Sequence, residues 1–429
     1  MKTIYIHPTH FAATIILLNF YILFAGCSKS DNPDIESKAT IRTNVSSLTL
    51  SAMGEELTFN VTVTNATNWT VASSESWLSV SKQGNNTVQV RSEANLTAAR
   101  SATITCSVDG SSGISASVTV SQPQASDAQS DNLALADLSK ATGANLSQGV
   151  EKNNDGRVIA LKFSGSNLSG ALPASMGRLT QLRYCDLSGN KLSGAIPSEI
   201  GNLTQLEYLD LSDNSFSGDA PSLNKLTELL VIDMSFNKLT LPPTLNAAIP
   251  NLEYLSFAGN KMSGNLPAGW SAYKKLIYID VGNNAFTGEI PSAWSVLTSM
   301  KALHLYGNAL SNSIPTYLSK FVHLKSLALN NNNLTGTIPS DLGTLSELET
   351  LFLMQNKLTG EIPASLLGNP HWSDWESYVC PQQSGFGFSN CNTTKAANTV
   401  AIHTADYGKS IKKSLNSNIV MQISQQVRN

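Results

Sequence analysis

Residues 187–197 read LSGNKLSGAIP, and the frame returns as LSDNSFSGDAP at 211–221, VGNNAFTGEIP at 281–291, LNNNNLTGTIP at 329–339 and LMQNKLTGEIP at 353–363. Aligned on the central Asn, the chain shows nine units, with that position at Ser166, Asn190, Asn214, Asn237, Asn260, Asn284, Asn308, Asn332 and Asn356. The intervals are 23 or 24 residues throughout. A period this constant marks an array in which no unit can bury its own apolar side, so that neighbours must stack.

The offsets explain themselves on that basis. In the unit around Asn190, Cys185 and Leu187 point inward from one short strand, while Leu192, Ile196, Ile200 and Leu203 fill the rest of the coil. Backbone groups inside such a coil lose water and need partners. An Asn side chain offers both a donor and an acceptor, so a column of them can bond neighbouring backbones as a ladder. Gly stands four residues after the Asn in seven units, with Asn312 in its place once, which points to a positive φ. Pro at the seventh position fixes φ and ends the strand. The unit FNKLTLPPTL, 236–245, lacks the Gly and displaces its prolines to Pro242 and Pro243. A distortion on the side away from the strands is expected there, with the strand intact.

The frame LxxLxLxxNxLSGxIPxxLGxLT resembles the plant-type leucine-rich repeat over residues 155–369, and GRVIALKFSGSNLSG, 156–170, resembles the start of plant repeat domains. The flanking Cys pair of those domains is absent, so a helix near 132–142 is expected to hold the cap, 132–154. The segment 370–391, with Trp372, Trp375 and Phe386 as lids, should close the other end. The fold class expected is therefore multidomain: an immunoglobulin-like β-sandwich followed by an α/β solenoid of nine repeats with a C-terminal cap.

The sandwich is read in residues 40–122. SLTLS, LTFNVTV, NWTVAS, WLSVS, TVQVR, SATITCSV and ASVTVSQ alternate apolar with polar residues between Gly, Asn and Ser turns. This segment resembles the BACON domain of Bacteroidetes surface proteins. That resemblance implies carbohydrate binding or a spacer role. Trp69 and Trp77 are core residues by their phase. The segment 123–131 reads as a linker by composition.

The first 26 residues carry FAATIILLNFYILF, an apolar run of 14 residues from Phe11, too short for a spanning helix and right for a signal-peptide core. Phe24-Ala25-Gly26-Cys27 resembles the lipobox of bacterial lipoproteins, which implies acylation of Cys27 and an outer-membrane anchor. Residues 27–39 are a polar, acidic tether resembling the surface-export signal of Bacteroidetes lipoproteins, and 392–429 is a net-basic tail. Of the other cysteines, Cys106 and Cys185 fall in core phase, and Cys380 with Cys391 are placed for a disulfide in an exported protein.

With 28 Lys plus Arg against 31 Asp plus Glu, the chain shows no nucleic-acid signal. No metal spacing, phosphate loop or nucleophile motif is present, so binding rather than catalysis is expected, with no cofactor and no metal. The strand positions between the inward leucines should face the concave side. They give one column with Tyr184, Tyr208, Tyr254 and Tyr278, and a second with Asp186, Asp210, Asp233, Asp280 and His304. Farther along, His304, Tyr306, Phe352 and Met354 make a second patch. Exposed tyrosines beside carboxylates suit a protein or peptide ligand, and also a stacked sugar; the sequence leaves both open. Regular repetition of the acids argues against a unique acid/base pair.

Overall fold

The computed structural model describes residues 38–245 and 249–391. The leader, Cys27 with nearly all of its tether, and the basic segment 392–429 lie outside the described residues. The chain divides into two compact units, with the first unit ending at Ser121.

In the first unit, alternation of apolar and polar residues builds eight strands: β1 Thr40–Thr43, β2 Ser47–Thr49, β3 Glu56–Thr64, β4 Trp69–Ser73, β5 Leu78–Gln83, β6 Thr87–Ser92, β7 Arg100–Val108 and β8 Ser115–Gln122. They form two four-stranded sheets, ordered β1-β3-β6-β5 and β2-β8-β7-β4. Phe59, Val61, Val88 and Val90 of one sheet share a core with Ile104, Cys106, Val118 and Val120 of the other. Trp69 belongs to that core, its indole N–H donating to the Asn85 carbonyl at 2.9 Å. Trp77 is partly buried against it. Burial pushes the Cys106 thiol up to about 11.

The second unit opens with helix α1, Asp127–Thr142. It therefore begins inside the segment read as a linker. Ser126 caps it and Gln129 bonds back to the Ser126 N–H, a capping box that composition alone does not reveal. Buried Asp131 accepts from the Val158 N–H at 2.8 Å and from Arg157 Nε at 3.0 Å. That tie fastens α1 to strand β10, Val158–Lys162, beside β9, Val150–Lys152.

From β10 onward one short strand per coil adds in parallel to a ten-stranded sheet, in which β9 alone runs antiparallel. Tyr184 pairs with Tyr208, Tyr208 with Val231, Val231 with Tyr254 and Tyr254 with Tyr278, each in register. The other side of the strands buries a single leucine-rich core from α1 to Phe388, including Cys185 and Leu187. Pro173, Pro197, Pro267, Pro291, Pro315 and Pro339 each precede a five-residue 3₁₀ turn.

The glycine four residues after the Asn has a φ of 80° at Gly194, and Asn312 takes 67° in the same place. The unit of Pro242 and Pro243 breaks the far side as expected. A small second sheet ends at Lys238–Leu239, and a new one starts at Ser263–Asn265, whereas strand Val231–Asp233 stays in the main sheet. At the C-terminal end, Trp375 is buried and Trp372 packs against the core. Phe386, expected to be a lid, is 43% exposed, and Phe388 fills that place on a strand paired with Lys357–Gly360. Cys380 and Cys391 are disulfide-linked.

The Asn column holds the coils. Asn332 Nδ2 donates to the carbonyls of Leu305, Leu329 and Asn330 at 3.0, 3.1 and 3.3 Å, and its Oδ1 accepts from the Leu310 N–H at 3.0 Å. The same set recurs at Asn214, Asn237, Asn260, Asn284, Asn308 and Asn356, with small changes in length. Past Asn356 the ladder gains a rung from outside the repeats. Gln382 accepts from the Leu358 N–H and donates to the Leu353 carbonyl. Asn332→Ala strands these buried backbone groups at once, and should lower unfolding stability by about 3 kcal/mol in urea titrations followed by circular dichroism.

Candidate functional site

The tyrosine and aspartate columns stand on the sheet face opposite the leucine core. Ala160, Tyr184, Tyr208, Val231, Tyr254, Tyr278 and Ala302 form a buried cluster separate from that core. The face is thus the expected one. Its accessibility is not what the sequence suggested: Tyr208 and Asp210 are 1% exposed, Asp233 is 3%, and His304 is fully buried. Asp186 is half-buried.

Two interactions account for the order of this wall. The rings stack in pairs, Tyr184 on Tyr208 at 4.5 Å and Tyr254 on Tyr278 at 4.4 Å. Each aspartate then divides its two oxygens. Oδ2 of Asp186, Asp210 and Asp280 accepts the phenol two residues before it, while Asp233 takes that of Tyr254 from the next coil. Oδ1 accepts from the backbone N–H two residues on, at Ser188, Ser212, Ser235 and Gly282, and from the hydroxyl of each serine. The Asp-x-Ser spacing was the available signal for this role. Gly282 departs from it because a Cβ there would overlap the Tyr306 ring.

Farther along, His304 Nε2 lies 2.8 Å from Ser326 Oγ, and Nδ1 lies 3.6 Å from Asp280 Oδ2 and 3.5 Å from the Tyr278 phenol. Asp280, His304 and Ser326 have the connectivity of a charge-relay set. Yet Ser326 is 1% exposed and its oxygen already accepts from the Thr350 hydroxyl at 2.7 Å. The group is a buried polar cross-link. Tyr306, Ala328 and Phe352, with Met354 and Tyr378, make a second small cluster, whereas His304 joins the tyrosine network instead. Sequence reasoning missed Tyr378, which comes from the cap helix α2, Trp372–Val379, and meets Phe352 edge-on at 4.9 Å.

Among the described residues no group of His, Cys, Asp and Glu is placed to hold a metal ion. No helix among them is long and apolar enough to cross a membrane.

Residues 181–203, 205–226 and 323–345 match the Leucine Rich Repeat family model. The chain carries leucine-rich repeats. Its fold is that of an α/β leucine-rich-repeat solenoid, similar to solved plant receptor ectodomains. A structure of a TDR receptor is 35% identical over 53% of this chain and 39% of its own, with a TM-score of 0.48. The ectodomain of the plant receptor kinase GASSHO1/SCHENGEN3 from Arabidopsis thaliana, solved with CASPARIAN STRIP INTEGRITY FACTOR 2, is 28% identical over 59% of this chain and 35% of its own, with a TM-score of 0.48. The Arabidopsis receptor kinase HAESA, in complex with the peptide hormone IDA and the co-receptor SERK1, is 31% identical over 51% and 37%, with a TM-score of 0.46. The chain thus spans well under half of each of these structures. No curated protein matches it.

Burial and the neighbouring carboxylates raise the phenols of Tyr208, Tyr254 and Tyr278 well above their ordinary range. The folded repeats keep these phenols neutral, whereas the unfolded chain ionises them near pH 10. Their contribution is therefore complete below about pH 10 and is lost above it. Three such groups give a slope of about 4 kcal/mol per pH unit. Phenolate absorbance at 295 nm should rise with loss of circular dichroism in one step, and the paired change Tyr254→Phe with Tyr278→Phe should flatten the slope.

Proposed function

We propose that the protein is a cell-surface binding protein whose repeats recognise a protein or peptide ligand on this outer face of the long sheet. The observation that supports the reading is the wall itself: aromatic and carboxylate side chains in register, fixed by their own hydrogen bonds before any ligand arrives. A surface ordered in advance costs a ligand little further ordering. The acidic column of Asp186, Asp210, Asp233 and Asp280 favours a basic or amide-rich partner. Because most of the wall is buried, first contacts fall on its more accessible member Asp186, with Tyr184, Tyr208, Tyr254 and Tyr278 as backing.

In this reading the first unit is an immunoglobulin-like, BACON-like spacer, and the repeats number nine. Residues 1–26 are removed, Cys27 is acylated, and the protein stands on the outer membrane facing the exterior. It acts by binding, without a cofactor. Metabolic labelling with a palmitate analogue should mark the wild type and not Cys27→Ser. Parallel peptide and glycan arrays probed with the purified protein should give peptide binding that weakens with salt. Asp186→Lys should reduce that binding at least ten-fold with the fold retained by circular dichroism. Glycan binding without peptide binding would overturn the assignment.

A further inference from the structure

The tyrosine wall has the position of a surface and the burial of an interior. Among the described residues, its cluster is built by the strands and the residues just before them, and no helix or cap residue contributes to it. Stacking at 4.5 and 4.4 Å covers the ring faces but leaves their outward edges. Yet Tyr208 is 1% exposed and Tyr278 is 2%. Burial at that level on an outer face fits a sheet with a segment lying along it.

A second observation comes from the C-terminal end of the same face. Asn330 is 1% exposed, and among the described residues its Nδ2 and Oδ1 have no hydrogen-bond partner. Its column fixes its place on the face. The equivalent Ser188, Ser212 and Ser235 each donate to a wall aspartate, and the flanking Tyr306 and Met354 cluster with Phe352. A buried carboxamide without a partner costs about 1–3 kcal/mol, and an extended main chain on the face would supply both the carbonyl and the N–H it needs.

The same chain carries a segment of matching charge. Residues 392–429 hold Lys395, Lys409, Lys412, Lys413 and Arg428 against the single acid Asp406. The wall carries Asp186, Asp210, Asp233 and Asp280, while the nearby Arg183 and Lys162 are paired with Glu207 and Glu151. The segment also starts in the right place. Cys391 is disulfide-linked to Cys380, two residues after Tyr378, whose ring meets Phe352 on the face. From the last strand, Thr350–Phe352, to Tyr184–Asp186 is seven strand spacings, about 34 Å. An extended chain crosses that distance in about ten residues, and Lys409 lies eighteen past Cys391.

We propose that residues 392–429 lie along the outer face of the sheet as an intramolecular ligand, with Lys409, Lys412 and Lys413 beside the aspartate column. This rests on the peptide-binding reading above and adds its regulation: the segment occupies the site until an external peptide displaces it. A tethered competitor acts at an effective concentration of roughly millimolar order, so only a ligand that binds well below that takes its place.

The test is zero-length carbodiimide cross-linking of the full chain at low concentration, read by peptide mass spectrometry. Lys409, Lys412 or Lys413 should be joined to Asp186, the most accessible of the four carboxylates, in a yield independent of protein concentration. Raising salt to about 0.5 M should reduce that yield at least five-fold. Asp186→Asn should remove the product with the fold retained by circular dichroism. Absence of the link in the wild type, or a yield that rises with protein concentration, would overturn the proposal. On the peptide arrays, the triple change Lys409→Glu, Lys412→Glu and Lys413→Glu should tighten binding at least ten-fold, because the chain no longer competes. Equal binding by both chains would overturn the docked segment and leave the peptide reading intact. The cross-link without peptide binding by either chain would sink that reading instead and leave the docked segment standing.

Discussion

Every coil depends on the bonds that an asparagine side chain makes to backbone groups shut away from water. The leucines supply the driving force, but apolar burial has no direction and would accept several spacings of the coils. The Asn carboxamide accepts from the preceding coil and donates to carbonyls of that coil and its own, so it fixes both spacing and rotation. Strand register, the columns on the open face and the position of each proline turn follow from that geometry. The contribution is per rung, which makes the array a sum of nearest-neighbour terms.

Much of this was legible in the chain. Periodicity located each coil, and the side-chain chemistry of Asn, Gly and Pro explained why each stands where it does. The positive φ at Asn312 was readable from its place in the Gly column. What escaped were features made by one residue acting out of frame. Gln382 continues the ladder from a segment without the repeat, so no alignment on Asn finds it. The helix α1 begins before its expected start because Ser126 and Gln129 form a local pair inside a stretch that looks like a linker. Phe386 and Phe388 differ by two positions in a glycine-rich turn, where spacing alone does not decide which ring turns inward.

The face of the sheet is the most instructive case. Alternation placed the tyrosines and aspartates on the correct side, but side is not accessibility. Rings on adjacent strands stack at about 4.5 Å, and each carboxylate has both oxygens occupied by near neighbours. Such satisfaction cannot be read from one unit, since it requires strands laid next to one another. Where the pattern is interrupted, as at Asn330, a buried side-chain amide is left without a hydrogen-bond partner.

The interruption near Pro242 and Pro243 has a mechanical meaning. Seen from the far side, the small strands ending at Leu239 and starting at Ser263 belong to separate sheets, and among the described residues the Lys261 N–H, donating to the Leu239 carbonyl at 2.9 Å, is a far-side backbone bond that still joins them. Phe236 sits there at a φ of 53°, a posture costly for a bulky side chain, and Leu241 is 47% exposed. Under tension along its axis the array has a seam at this point, at which the coils before and after can part as two blocks before either one unravels.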